Sequence, residues 1–195
     1  MDLTNLVAEF KSIKKEHKTA IQKRVARLVP GGSVIRVFRK KTKEALIEEL
    51  CKIPVAEMRG LKNQEDFRKW FERQLEAVAS AIRRTNRNNR SIKPGTKWGH
   101  AAKVLNLFLR EMVVESRYFL EKEVKRLTPW LYMPIDRVVI KNLRDCGIEL
   151  DFKVIKDIDT RKKFYYLQED ILASAAAEAR VPRIWFDDVW SAQEG

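Results

Sequence analysis

Turn-forming residues are scarce in this sequence, with only 7 Gly and 6 Pro among 195 residues. That scarcity argues against a turn-rich sandwich or barrel and against a low-complexity disordered chain. With 45% hydrophobic and 34% charged residues, the balance favours packed amphipathic helices. Cysteine is nearly absent. Cys51 and Cys146 stand 95 positions apart, with no close Cys or His companion. Neither a disulfide framework nor a zinc or iron-sulfur site is expected, and both are read as reduced packing residues. No metal and no organic cofactor is expected. No apolar run approaches the roughly 20 residues that span a bilayer. The opening Met1-Asp2-Leu3-Thr4-Asn5 has neither the basic nor the apolar region of a secretion signal. The expected location is therefore the cytoplasm, with no membrane partner.

Acid is the next shortage. Against 40 Lys and Arg there are 27 Asp and Glu, a formal net charge of +13, and a field of that sign draws polyanions at long range. The deficit is sharpest from 83 to 103, where seven basic residues occur without one acid. Arg83, Arg84, Arg87, Arg90, Lys93 and Lys97 are candidate phosphate clamps, with Asn88 and Asn89 as neutral donors. The plainer alternative is a solvated basic loop.

Apolar periodicity organises the rest as one helical domain over 1–195. Leu3, Leu6, Val7, Phe10, Ile13, Ile21, Val25 and Leu28 recur mainly at spacings of three and four, predicting a long amphipathic helix stopped by Pro30-Gly31-Gly32. Thr42 is placed to cap a short helix through Leu50. Asn63 is placed to cap another, with Phe67, Trp70, Phe71, Leu75, Val78 and Ile82 on its buried face. Pro94-Gly95 reads as a turn before a helix starting near Trp98 or Gly99 and reaching Val114. Pro134 reads as the first-turn proline of a helix ending at Gly147, and the turn at 157–160 precedes a helix to Arg180. Trp185, Phe186 and Trp190 then form a short amphipathic tail.

Two residues in this frame have chemistry to offer. Lys103 lies beside the stripe of Ala102, Leu105 and Leu109, where partial burial would favour the free amine and make it a nucleophile. Asp136, expected in the first turn of the helix opened by Pro134, would be held as an anion by unpaired amides and the helix dipole. Read alone, the first is also a snorkelling lysine and the second a capping carboxylate.

Together the two segments resemble the helix-hairpin-helix superfamily of DNA glycosylases, especially its archaeal-type 8-oxoguanine DNA glycosylases. Gly99 precedes Lys103 and Phe108-Leu109-Arg110 follows it, as in the family's lysine helix. Pro134-Ile135-Asp136-Arg137-Val138-Val139 is similar to its aspartate segment about thirty residues on. The hairpin Pro94-Gly95-Thr96-Lys97-Trp98-Gly99 only loosely imitates the family's Gly-x-Gly turn, and Lys97, which follows Gly-Thr, is the runner-up nucleophile.

The resemblance implies an all-α, compact, single-domain bundle with a DNA-facing cleft. It also implies base flipping and cleavage of the N-glycosidic bond, with the option of lyase activity at the abasic site. Lys103 would attack the sugar and Asp136 would stabilise its oxocarbenium-like charge. The partner would be double-stranded DNA containing a modified base, with 8-oxoguanine the family default. Hypermodified cytosine of phage DNA, removed by a bacterial defence enzyme, is an extension. Trp98, His100 and Arg137 are further candidate DNA contacts, and Trp130, Tyr132 and Trp185 are candidates for the base pocket. The rival from another class is a non-enzymatic DNA- or RNA-binding helical module, for which the basic run alone would suffice.

Overall fold

The computed structural model describes residues 3–31, 38, 41–88, 93–135, 137–148, 157–186 and 189. These residues are helical or irregular, with no strand among them. Among the described residues, α-helices run as α1 (Leu3–Leu28), α2 (Lys41–Lys52), α3 (Gln64–Thr85), α4 (Pro94–Arg110), α5 (Glu121–Leu127), α6 (Arg137–Asp145) and α7 (Ile158–Ala179). The expected all-α class is thus found, and no helix among the described residues is long and apolar enough to cross a membrane.

Helix α3 is the centre of the body. Asn63 caps it by accepting from the Asp66 amide at 2.8 Å. Every apolar residue read on its stripe is buried, because positions three and four apart share one helical face. That face packs between α2 and α4, and α4 in turn packs on α7. The main core runs from Ile21 and Val25 of α1 to Tyr165 and Tyr166 of α7. A smaller one joins Met133, Val139 and Leu143 to Leu172, with Phe186 packed against it.

Several local expectations shift. Thr42 does not cap α2 but lies inside it, fully buried, with its hydroxyl 3.1 Å from that of Thr85 and accepting from Asn86 Nδ2 at 2.9 Å. Pro94 is not in a turn but opens α4, where its fixed φ and missing N–H suit the first helical position. Beyond Arg110 the helix loosens into a single π turn at Glu111–Glu115, ended by Ser116, whose hydroxyl donates to the Met112 carbonyl at 2.8 Å. Pro134 is buried in a segment at 131–135 that is neither helix nor strand, rather than in α6. Side chains engage the backbone of Leu131 and Met133 there, and a residue before proline also favours extended geometry. Gly147, at φ +81°, ends α6 as expected, with Gly147 N donating to the Arg144 carbonyl at 2.8 Å and Ile148 N to the Leu143 carbonyl at 2.9 Å.

The apolar stripe of α1 divides. Ile21, Val25, Ala26 and Val29 enter the core, but Leu6, Val7, Phe10 and Ile13 are exposed, Phe10 by 63%. Phe10→Ser should accordingly change stability by no more than about 0.5 kcal/mol. Phe71→Ala, in the core, should cost about 3–5 kcal/mol. Urea unfolding of the two variants side by side checks this, and a large loss for Phe10→Ser would mean that the face is covered.

Candidate functional site

Helix α4 brings the candidate residues into relation. Gly99, Lys103, Asn106 and Arg110 are separated by four, three and four residues and therefore form one flank of the helix. Near its start, a Cβ on Gly99 would stand 3.0 Å from Nη2 of Arg161, so the guanidinium of this α7 residue lies against the glycine of α4. One turn past Lys103, Asn106 Nδ2 donates to the Met133 carbonyl at 2.9 Å and to the Tyr165 hydroxyl at 2.8 Å. The flank thus faces α7 and the segment leading into α6. Lys103 is half-buried on it, between Gly99 and Asn106.

Asp136, the other half of the expected pair, lies outside the described residues, as do Asn89 and Arg90. Arg137 is the first residue of α6. Lys97 is buried, and its Nζ donates to the Asn86 carbonyl at 3.0 Å, tying the end of α3 to the first turn of α4. Of the basic run, Arg84, Arg87 and Lys93 are exposed, and so is Asn88. Arg83 pairs with Glu76 along α3. The candidate clamps exposed to solvent are therefore at the end of α3 and at the residue just before α4.

The aromatic candidates separate by burial. Trp98 is 2% exposed and meets Tyr165 edge-on at 5.4 Å. Tyr132 is buried among Phe67, Phe71, Tyr165 and Tyr166, with the Phe71 ring 4.8 Å away. Trp130 is half-buried beneath the Arg126 guanidinium at 5.1 Å, and Trp185 is half exposed. His100 meets the Phe38 ring edge-on at 5.0 Å.

Charge is held in unfavourable surroundings around α7. Burial pushes Glu169 up to about 8, against the Arg183 guanidinium and the Met133 amide, which both favour its ionised form. Burial also pushes the Tyr132 phenol up to about 12 and raises Tyr165 well above its ordinary range. It lowers Arg161 to about 10, which leaves the guanidinium cationic at neutral pH. The Asn106 Oδ1 and both amide atoms of Gln168 are buried without a hydrogen-bond partner, so polar capacity remains unused where α4 meets α7.

Lys103 lines neither of two cavities found among the described residues. One of about 410 Å³ lies between α1 and the π turn, beside Arg24, Leu28, Glu111 and Glu115. The other, about 390 Å³, lies between α3 and α7, beside Glu72, Trp98, Lys162 and Tyr166. No group of three His, Cys, Asp or Glu residues able to hold a metal ion occurs among the described residues.

Sequence reasoning missed Asn106, Tyr165, Glu169 and Arg183. Glu169 carried a usable signal, since it falls four residues after Tyr165 and three before Leu172, on the apolar side of α7. Arg183, in a non-helical turn beyond Pro182, carried none. Comparison with protein-family models, with curated proteins and with solved structures returned no match to this chain.

Proposed function

We propose that this chain is a DNA glycosylase of helix-hairpin-helix type, with Lys103 as nucleophile and Asp136 as the carboxylate that stabilises charge on the sugar. The observation that carries the reading is the Asn106 hydrogen bond to the Met133 carbonyl at 2.9 Å. It tethers the backbone three residues before Asp136 to the flank of α4 on which Lys103 stands. A nucleophile and a carboxylate drawn from two segments need such a tether, since misplacement by about 1 Å costs on the order of a hundredfold in rate.

The exposed Arg84, Arg87 and Lys93 supply the phosphate-binding part of the reading. They also favour a second one, a non-enzymatic DNA- or RNA-binding module, because phosphate contacts do not require Lys103. Duplexes carrying single modified bases, 8-oxoguanine first and glucosylated hydroxymethylcytosine next, separate the two. After incubation, alkali and a denaturing gel, strand scission at the modified position supports the glycosylase. Tight binding with no released base from any duplex replaces it with the binding module.

A further inference from the structure

The segment at 131–135 is neither helix nor strand, and side chains from α4, α7 and the turn after α7 engage its backbone. Arg183, 3% exposed, donates from Nε to the Leu131 carbonyl at 2.7 Å and from Nη2 to the Trp130 carbonyl at 2.8 Å. Its Nη1 donates to the Glu169 carbonyl at 3.2 Å, so the fork joins the segment to α7. The guanidinium also lies over the Tyr132 ring at 4.6 Å. Glu169, fully buried, accepts from the Met133 amide through Oε2 at 3.3 Å, and Arg183 Nη1 stands 3.6 Å from the same oxygen. Asn106, on α4, holds the Met133 carbonyl.

We propose that Glu169 and Arg183 are positioning residues: they fasten the backbone ahead of α6 to α7 and thereby set where α6 begins relative to the Lys103 flank of α4. Stability alone does not call for this arrangement, because buried charged or polar pairs are often replaced by packed apolar residues without loss. Directed bonds do what apolar packing cannot. A planar fork on two successive carbonyls, with an acceptor for the amide two residues on, admits one path for the chain. The catalytic meaning of that placement rests on the glycosylase reading, whereas the anchoring itself does not.

Hydrogen exchange of the Met133 amide and single-turnover release from an 8-oxoguanine duplex test the proposal in Glu169→Leu, Glu169→Gln and Arg183→Lys. The Leu variant removes the acceptor, the Gln variant keeps it, and the Lys variant keeps the charge but loses the fork. Expected are Met133 exchange at least tenfold faster and release at least tenfold slower in the Leu and Lys variants, with DNA affinity within twofold of wild type. The Gln variant should retain both wild-type values. Should Glu169→Leu fail to fold, Arg183→Lys carries the comparison. Unchanged exchange in the folded Leu and Lys variants overturns the anchoring, and an equal rate loss in the Gln variant overturns the positioning role. A wild type that releases no 8-oxoguanine counts against that substrate for the enzymatic reading, while exchange still decides the anchoring.

Discussion

On a duplex that the wild type cleaves, Lys103→Gln should lose the borohydride-trapped protein–DNA adduct and slow base release by about a thousandfold or more, as removal of a nucleophile does. In this reading the Lys103 amine would attack the anomeric carbon as the base departs with the bonding electrons. Loss of a proton from nitrogen and opening of the C1′–O4′ bond, whose electrons go to the ring oxygen, would then give the iminium that borohydride reduces. Gln has a similar length and no nucleophilic nitrogen. DNA affinity should stay within about threefold, because the candidate phosphate contacts, the exposed Arg84, Arg87 and Lys93, lie elsewhere. Lys97→Gln provides the contrast. Its amine is buried on the Asn86 carbonyl, so the expected loss is about 1–3 kcal/mol of stability and not the adduct. An adduct that persists in Lys103→Gln and vanishes in Lys97→Gln would move the nucleophile to Lys97. Excision without any trapped adduct would instead point to water as the attacking group.

The second large effect is on stability. Arg183→Met should cost about 3–5 kcal/mol, since it removes the charged donor from the buried Leu131 and Glu169 carbonyls and from the part-buried Trp130 carbonyl. For a chain of this size that is a fall in Tm on the order of 10 °C. Glu169 adds a pH dependence of definite sign. Burial, helped by Asp170, raises its carboxyl from 4.5 to about 8 against Arg183, the Met133 amide and the Tyr165 hydroxyl. The folded chain then binds the proton more tightly than the unfolded chain. The contribution is fully present below about pH 4.5 and is lost as pH rises through about 8. Stability should therefore decline between those limits, and Glu169→Gln, which cannot ionise, should flatten the decline. Parallel urea-midpoint profiles for the two proteins across that range would show that Glu169 does not carry it.

Where the sequence was legible, a local rule had no tertiary competitor. Asn63 caps α3 because its side chain reaches an orphan amide three residues on, and Gly147 ends α6 because the chain there needs positive φ. Elsewhere distant partners prevailed. Thr42 has the chemistry of a cap, yet Thr85 and Asn86, more than forty residues away, recruit its hydroxyl into the interior. Pro134 has the chemistry of a first-turn residue, but the backbone just before it is held out of the helix by Asn106, Glu169 and Arg183. The α1 stripe has helical spacing throughout, and spacing does not say how far the body extends along a helix. The same limit governs the candidate site. The flank bearing Lys103 follows from periodicity alone, whereas the side chains that tether the neighbouring segment become visible only when α4, α7 and the turn at Arg183 meet.

The joint around Asn86 bears on how the protein would meet a polyanion. Asn86 is fully buried, its Nδ2 donating to Thr42 Oγ1 at 2.9 Å and to the Ile82 carbonyl at 3.0 Å, while its own carbonyl accepts from Lys97 at 3.0 Å. Three helices are thereby knotted at the point from which Arg84 and Arg87 project. Fixing a residue's backbone costs about 1–2 kcal/mol in conformational entropy, and at this knot folding has already met that cost. Association through these arginines would therefore be governed by release of counterions rather than by ordering of the protein. Its calorimetric signature would be a favourable entropy, a small heat and little change in heat capacity.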